Sequence, residues 1–507
     1  MSKELSRTKK FAYSTVTTAM YQFVLFLAGF ITPKVMLTFY SSEINGLVSS
    51  ITQFITYFNL VEAGLSGATV FALYKPLARQ DYDEISSVVV AAKKFYMQAG
   101  YVFLVLVAAL AVGYPFLVAS QGLSHIEVAL LVFVLGANSV LEFFTLAKYR
   151  AILTAEQKTY IISFASIIYV IVNTAIIYLL ASMHLSIVIV RAVALISVFI
   201  RSFILLIYVH KKYPWVNYKA KPKNEALNKR WDAMYMQILG AIHTGAPTVI
   251  LTVVVKDLLS VSVFSIYNMV ITGLHGIMSI FSSGLSAGFG DVIARGENDT
   301  LKKSYRQFEF GYLCLMTVVY SVAMVTIMPF VKIYTSGVTD AEYYVPAVGF
   351  LIVLNGFLYN LKSPQSMILV AAGLYKESRV QTTIQGLLMV ILGCIFGYFW
   401  GIEGVLIAAI ISNFYRDIDL LFFIPKKVTN IPVKSTLKRW IAMALCSVII
   451  ISLMQLVKME VDNYFKWFIF ASIAGVVSIV VVFVYALLFE RESLIGLFYR
   501  VMDVIKK

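Results

Sequence analysis

Runs of about twenty or more apolar residues recur along almost the whole of this 507-residue chain, and they leave few folds open. A helix of that length crosses a hydrocarbon layer of about 30 Å. Within lipid no water is available to backbone N–H and C=O groups, so only a helix or a closed barrel can span. A barrel would show alternating segments of about ten residues, and the sequence has none. The reading is therefore an all-α polytopic membrane protein. The composition agrees: 60% of residues are hydrophobic and 14% charged, with a mean hydropathy of +0.82.

Fourteen spans are expected, near 11–40, 44–74, 95–119, 126–147, 160–182, 185–209, 231–255, 260–289, 308–331, 343–361, 380–400, 402–425, 440–457 and 467–489. The first follows Lys3, Arg7, Lys9 and Lys10, as a signal peptide would. Its apolar run is too long for one and lacks a small-residue cleavage site, so it reads as a helix that stays. Threaded from a cytoplasmic residue 1, the fourteen spans put 34 of the 42 basic residues on the cytoplasmic side. Only Lys256, Lys332, Lys458 and Lys466 fall outside. The positive-inside rule then places both termini in the cytoplasm of a cell carrying this chain in its plasma membrane. The net charge of +15 is a topology signal that requires no nucleic acid. It favours anionic lipid headgroups at the inner face.

The spans fall into six, six and two. Thr32-Pro33-Lys34-Val35-Met36-Leu37-Thr38 is echoed by Ala246-Pro247-Thr248-Val249-Ile250-Leu251-Thr252, and Gly64-Leu65-Ser66 by Gly284-Leu285-Ser286. Such a repeat suggests a transporter built from two halves around a path, the halves related by an axis along the membrane normal. The expected organisation is an N-terminal six-helix bundle, 1–209, a basic cytoplasmic linker, 210–230, a second bundle, 231–427, and two further spans in 428–507. The outer loops, such as 40–43, 182–184, 256–260 and 401–403, leave no room for an extracellular catalytic domain.

Four basic residues remain inside spans: Lys34, Arg191, Arg201 and Arg416. A cation at a helix centre costs at least about 2.5 kcal/mol on insertion scales, so each is a candidate for function. Lys34 and Arg191 lie near the outer ends of their helices, where snorkelling to headgroups is the alternative to lining a cavity. Arg201 and Arg416 are each nine residues from a cytoplasmic end and correspond in the repeat, which favours burial. Asp417 and Asp419 stand beside Arg416 to neutralise it locally, and Glu142 is expected to pair with Lys148 or Arg150. Asn59, Glu62 and Ser66 at i, i+3 and i+7 share one helical face. They form either a hydrogen-bonded seam between helices or a wet site at which Glu62 takes a proton. Asn138 and Asn355 fall in matching fourth and tenth spans, as polar lining of a cavity or as interhelical hydrogen bonds. His243 and His275 read as packing and hydrogen-bonding residues. Cys314, Cys394 and Cys446 are scattered within apolar spans and suggest neither a disulfide nor a metal site.

Several short stretches resemble one family. They are Pro33-Lys34, Ile44-Asn45-Gly46-Leu47, Glu62-Ala63-Gly64-Leu65, the run from Tyr208 to Trp215, Lys229-Arg230-Trp231-Asp232 and Val263-Phe264-Ser265-Ile266-Tyr267-Asn268. Further on come Tyr334-Thr335-Ser336-Gly337-Val338-Thr339-Asp340, Ala371-Ala372-Gly373, Gly404-Val405-Leu406-Ile407 and Tyr415-Arg416. In that order they resemble the Wzx-like polysaccharide-repeat-unit flippases of the multidrug/oligosaccharidyl-lipid/polysaccharide (MOP) exporter superfamily, Gram-positive capsule type. One departure is that those members tend to carry Asn and Asp after the histidine, where this chain has His243-Thr244-Gly245-Ala246-Pro247.

The resemblance implies two six-helix bundles in a V that move a polyprenyl-pyrophosphate-linked oligosaccharide outward by alternating access, for cell-surface polysaccharide biosynthesis. It implies no enzyme activity and no cofactor. The expected partners are the lipid-linked glycan, membrane lipids and a polysaccharide assembly machinery, and a monomer is expected. Arginine suits a pyrophosphate because it donates two parallel hydrogen bonds. The two last spans are expected to form a groove for the lipid tail. A drug/cation antiporter of the same superfamily would instead use acids such as Glu62 and lack cavity arginines. A membrane-embedded glycan polymerase or transferase would need substantial loops with catalytic residues, which are not seen.

Overall fold

The computed structural model describes residues 7–62, 65–118, 120–223, 230–283, 285–496 and 498. The described residues form helices joined by short loops, and no strand occurs among them. By packing they divide into two units, Met1–Ser262 and Val263–Lys507. The first contains α1 (Arg7–Phe39), α2 (Ser42–Phe58), α3 (Leu65–Arg79), α4 (Tyr82–Leu117), α5 (His125–Thr145), α6 (Ala147–Ala155), α7 (Thr159–Ser182), α8 (Ile187–Ala194), α9 (Ile196–Lys212) and α10 (Arg230–Ile250). A long helix, α11 (Leu258–Ser283), carries the division. The second unit continues with α12 (Ser286–Ala294), α13 (Asn298–Tyr334), α14 (Pro346–Leu361), α15 (Ser363–Ala371), α16 (Arg379–Ile424), α17 (Val433–Gln455) and α18 (Tyr464–Phe489).

The all-helical membrane fold is as expected. Eleven helices among the described residues are long and apolar enough to cross a membrane by length and composition. The remaining expected spans have local explanations. Gly401 (φ 58°, ψ −132°) splits the 46-residue α16 into two spans, at 380–400 and 402–425. That backbone conformation belongs to the left-handed half of the map, where only glycine sits without strain. At 16 residues α14 is short. The expected span 44–74 is not one helix: α2 ends at Phe58, Asn59–Glu62 make a 3-10 turn, and α3 starts at Leu65. Asn59 caps α2, its N–H bonding back to the Ile55 carbonyl. An asparagine side chain competes with the backbone for such bonds and favours helix ends. The expected span 185–209 is present as one helical stretch of membrane length, Ile187–Lys212, in which α8 passes into α9 at Leu195 with the backbone still α-helical (φ −58°, ψ −22°). Two loops contain helices the sequence reading did not separate, α6 after the fourth span and α15 after the tenth, each nine residues long.

Close packing is obtained with small residues, as interhelical contact in lipid requires. A Cβ on Gly136 of α5 would lie 2.4 Å from a Val107 methyl of α4. In the second unit a Cβ on Gly356 would lie 2.8 Å from the Tyr320 ring. Within the first unit α10 packs on α2, although the repeat assigns α10 to the second half. Along this seam the Thr252 hydroxyl donates to Ser50 Oγ (2.7 Å), and Asn45 Nδ2 to Ser262 Oγ (2.8 Å). A Cβ on Gly46 would lie 2.0 Å from the Leu258 carbonyl oxygen, and one on Gly245 would lie 2.1 Å from Gln53 Nε2. The lack of a side chain at Gly245 therefore lets α10 approach α2 closely.

In the second unit α13 is flanked by α14, α17 and α18. Arg439 of α17, which the basic-residue count assigned to a cytoplasmic loop, is about 1% exposed. It donates to Glu309 of α13 and to Glu490 just beyond α18. Outward-facing Phe465, Phe468, Val476 and Leu488 leave α18 an apolar surface suited to lipid.

Candidate functional site

The first unit contains a polar cavity of about 220 Å³, room for about seven waters at ~30 Å³ each. Thr52, Thr56 and Asn59 contribute one face of α2, at i, i+4 and i+7. Asn138 and Ser139 come from α5, Tyr169 and Asn173 from α7, and Arg191 from α8. The Tyr169 hydroxyl donates to Asn138 Oδ1 (3.3 Å). Among the described lining residues Arg191 is the only charged one, and none is a carboxylate. Arg191 Nη2 donates to the Met36 sulfur at 3.8 Å, and its buried Nε has no hydrogen-bond partner among the described residues. A guanidinium with an unused donor, surrounded by hydroxyls and amides, suits an anion with several acceptor oxygens.

Arg201 has a different environment. It forms an ion pair with Glu142 of α5, and its guanidinium lies 4.3 Å from the centre of the Tyr169 ring. Glu142 also faces Arg150 of α6 at 3.7 Å. The expected Glu142–Arg150 pairing is present, with Arg201 added, and the Lys148 side chain lies outside the described residues. The two arginines lie on one membrane-length helical stretch, as the sequence placed them, on either side of Leu195. Lys34 is half-buried on α1 and does not line the cavity. Met36, which touches Arg191, is two residues on, about 200° around the helix. Glu62 ends the 3-10 turn in electrostatic range of Arg150 and Glu142. Asn59 and Glu62 thus belong to a turn and not to a continuous α-helical face, and the Ser66 side chain lies outside the described residues. Sequence reasoning missed Thr52, Thr56, Tyr169 and Asn173. The 52, 56, 59 spacing on an otherwise apolar helix was the available signal.

The second unit buries a polar network around α14, α15 and α16. Asn355 accepts from Asn413 Nδ2 (2.8 Å), and Asn413 Oδ1 accepts from Lys362 Nζ (2.7 Å). Lys362, counted among cytoplasmic loop cations from the sequence, is buried where α14 meets α15. It lies 5.0 Å from the Tyr359 ring centre and 3.9 Å from Asp417 Oδ1. Asp417 is fully buried, and neither carboxylate oxygen has a hydrogen-bond partner among the described residues. At that separation the attraction is about 4 kcal/mol for an effective dielectric of ~20, against a desolvation cost of several kcal/mol per ion. Arg416 pairs with Asp419, so of the two aspartates expected to neutralise it only Asp419 does so directly. Next to this network, Asn360 Nδ2 donates to His275 Nδ1 (2.8 Å) and to the Tyr320 hydroxyl (2.7 Å), while the Tyr312 hydroxyl donates to Asn360 Oδ1 (2.9 Å). His275 is a hydrogen-bonding residue, as expected.

The fold is similar to that of solved membrane transporters. Two solved structures are each similar to most of this chain. One is a multidrug-resistance MATE family transporter of the MOP superfamily in an inward-facing conformation, 14% identical, with a TM-score of 0.67 over 82% of this chain and 96% of that one. The other is the lipid II flippase MurJ in an inward closed conformation, 16% identical, with a TM-score of 0.70 over 94% of this chain and 99% of that one. A MATE structure in a bent conformation is also similar, with a TM-score of 0.58 at 15% identity over 87% and 97% of the two chains. No protein-family model matches the chain. No curated protein matches it by sequence.

Proposed function

We propose that this chain is a flippase that carries a polyprenyl-pyrophosphate-linked oligosaccharide from the cytoplasmic to the outer leaflet for cell-surface polysaccharide synthesis, by alternating access. The observation that carries this reading is the cavity of the first unit, where Arg191 faces hydroxyls and amides with no acid beside it. A volume of about 220 Å³ suits a phosphate-bearing headgroup, with the glycan outside it. The likeness to the lipid II flippase MurJ over 94% of the chain supports a lipid-linked cargo. The likeness to MATE transporters supports the rival reading, a drug/cation antiporter. The acid-free lining weighs against that rival, because a cationic drug would find only a cation there. No catalytic role is assigned to any residue.

In this proposal Arg191 grips the anion, and Lys34 adds positive charge to the same half. Arg201 and Arg416 already have carboxylates and position the helices around the path. The sequence halves 1–209 and 231–427 supply the two sides of the alternating cycle. The protein resides in the plasma membrane with both termini cytoplasmic. Lipid analysis of cells depleted of the protein tests the cargo: a polyprenyl-linked glycan should accumulate on the cytoplasmic side. Arg191→Ala, present at the parent's level in the membrane, should fail to clear it, losing about 1.5–3 kcal/mol of charge-assisted binding, roughly 10- to 150-fold. Clearance at the parent's rate would overturn the anion grip.

A further inference from the structure

A groove of about 600 Å³ runs along an exposed face of α9 and is lined almost entirely by apolar side chains. Ile196, Phe199, Phe203 and Leu206 lie at i, i+3, i+7 and i+10, one exposed stripe about 15 Å long. Phe144 of α5 and Tyr149 of α6 line the groove opposite it. Ser202 and Thr145 share a hydrogen bond (2.8 Å), and Thr145 Oγ1 also donates to the Leu141 carbonyl (2.6 Å), so both hydroxyls are occupied. The charge lies at one end. One turn past Leu206, His210 packs on Tyr149 (ring centres 6.2 Å) and stacks on Tyr218 (6.0 Å), and its Nδ1 donates to the Leu206 carbonyl (3.0 Å). Lys211 follows His210, and Lys219 follows Tyr218; both are exposed. The carboxylates of this region are committed elsewhere: Glu142 to Arg201 and Arg150, Glu156 to Lys158, and Glu84 to Lys223. None of the described lining residues of the groove is charged.

We propose that this groove binds one bilayer phospholipid with an anionic headgroup, an acyl chain lying against the α9 stripe and the phosphate at the His210 end, within reach of Lys211 and Lys219. Each part of such a lipid meets its complement. An acyl chain suits a groove whose hydroxyls are already bonded, where a glycan or a pyrophosphate would lose its hydrogen bonds to water. Lysines beside a membrane surface favour an anionic over a zwitterionic headgroup. The segment that carries Lys219 is held in place, because the Asn217 N–H donates to Ser86 Oγ (3.0 Å) and the Lys223 N–H to the Ser87 carbonyl (3.3 Å), both on α4. A plain apolar helix face accepts any chain, whereas a groove with cations at one end selects a headgroup and fixes its leaflet, the one on the side of the linker 210–230. The site does not depend on the cargo proposed above.

The test uses the full-length protein in detergent with added phosphatidylglycerol and phosphatidylcholine of identical chains. Native mass spectrometry should show one phosphatidylglycerol retained over phosphatidylcholine by about tenfold or more, the scale of a charge-assisted hydrogen bond. Phosphatidylglycerol with a photoreactive acyl chain should crosslink to residues 144–149 and 196–206. Lys211→Gln with Lys219→Gln should bring the retention of the two lipids close to equal; if that double variant does not fold, Lys219→Gln alone should lower the preference. Equal retention by the parent overturns the proposal, and so does crosslinking confined to other segments or a preference that survives loss of the lysines. Added polyprenyl phosphate separates the two sources of an anionic lipid. If it displaces phosphatidylglycerol from the crosslinked segments, the groove belongs to a prenyl chain and the phospholipid assignment falls; crosslinking that persists supports the assignment.

Discussion

Replacing Arg439 by methionine should loosen the attachment of α17 and α18 to α13. The Arg439 guanidinium uses all five of its N–H groups. Nε donates to Glu490 Oε1 (2.8 Å), and Nη1 donates to the Arg306 carbonyl (2.9 Å) and Glu309 Oε2 (3.0 Å). Nη2 donates to Glu490 Oε2 (2.9 Å) and Ser493 Oγ (3.2 Å). Glu309 is as buried as Arg439, and without it keeps Tyr305 (3.1 Å) and Thr436 (3.0 Å) as close donors but no cation. Removing one partner of a buried pair costs about 3–5 kcal/mol. At roughly 2–4 °C per kcal/mol for a unit of this size, the melting midpoint should fall by about 6–20 °C. The assay is thermal unfolding of the full-length protein in detergent. Arg439→Met with Glu309→Met removes the orphaned charge and should recover at least half of the loss, since an apolar pair of similar volume replaces a buried ion pair at little net cost. Melting of Arg439→Met within about 2 °C of the parent would refute this account of the attachment.

Other outcomes follow from the same structure. Burial alone would raise the pKa of Glu490, but hydrogen bonds from Arg439 and Ser493 outweigh it and hold the carboxyl below its ordinary 4.5. A depressed folded value stabilises above the ordinary one and loses that contribution as pH falls through the folded value. Thermal unfolding should therefore show lower stability below about pH 4.5, and Glu490→Gln should flatten that acid limb. Gly46→Ala pushes a methyl to within 2.0 Å of the Leu258 carbonyl and should cost about 1–3 kcal/mol, whereas Gly29→Ala meets nothing within 4 Å. Equal melting of these two variants would remove the α2–α11 contact as a constraint. Single cysteines at positions 2 and 336 in a cysteine-free background should label from opposite sides of the membrane; labelling of both from outside intact cells would sink the fourteen-span topology.

The helical membrane fold was legible because it depends on local facts. A span must be apolar over its whole length, and lysines and arginines cluster where spans end. Even the split at Gly401 could be anticipated, since the break falls between two apolar runs. What the cations do was not legible, because it depends on which helices meet. Arg191 and Arg201 stand ten residues apart in one apolar run, yet only Arg201 meets the carboxylate of Glu142, from a helix about sixty residues earlier in the chain. Lys362 lies at the end of an apolar run, where a loop lysine would stand. The start of α15 at Ser363 and the polar side chains of α16 draw it inside. Arg439 is buried for a similar reason, since carboxylates from α13 and from beyond α18 converge on it. The hydrocarbon selects each helix by its own composition. A buried charge is kept by partners distant in sequence, and only the packed chain brings them within hydrogen-bonding distance.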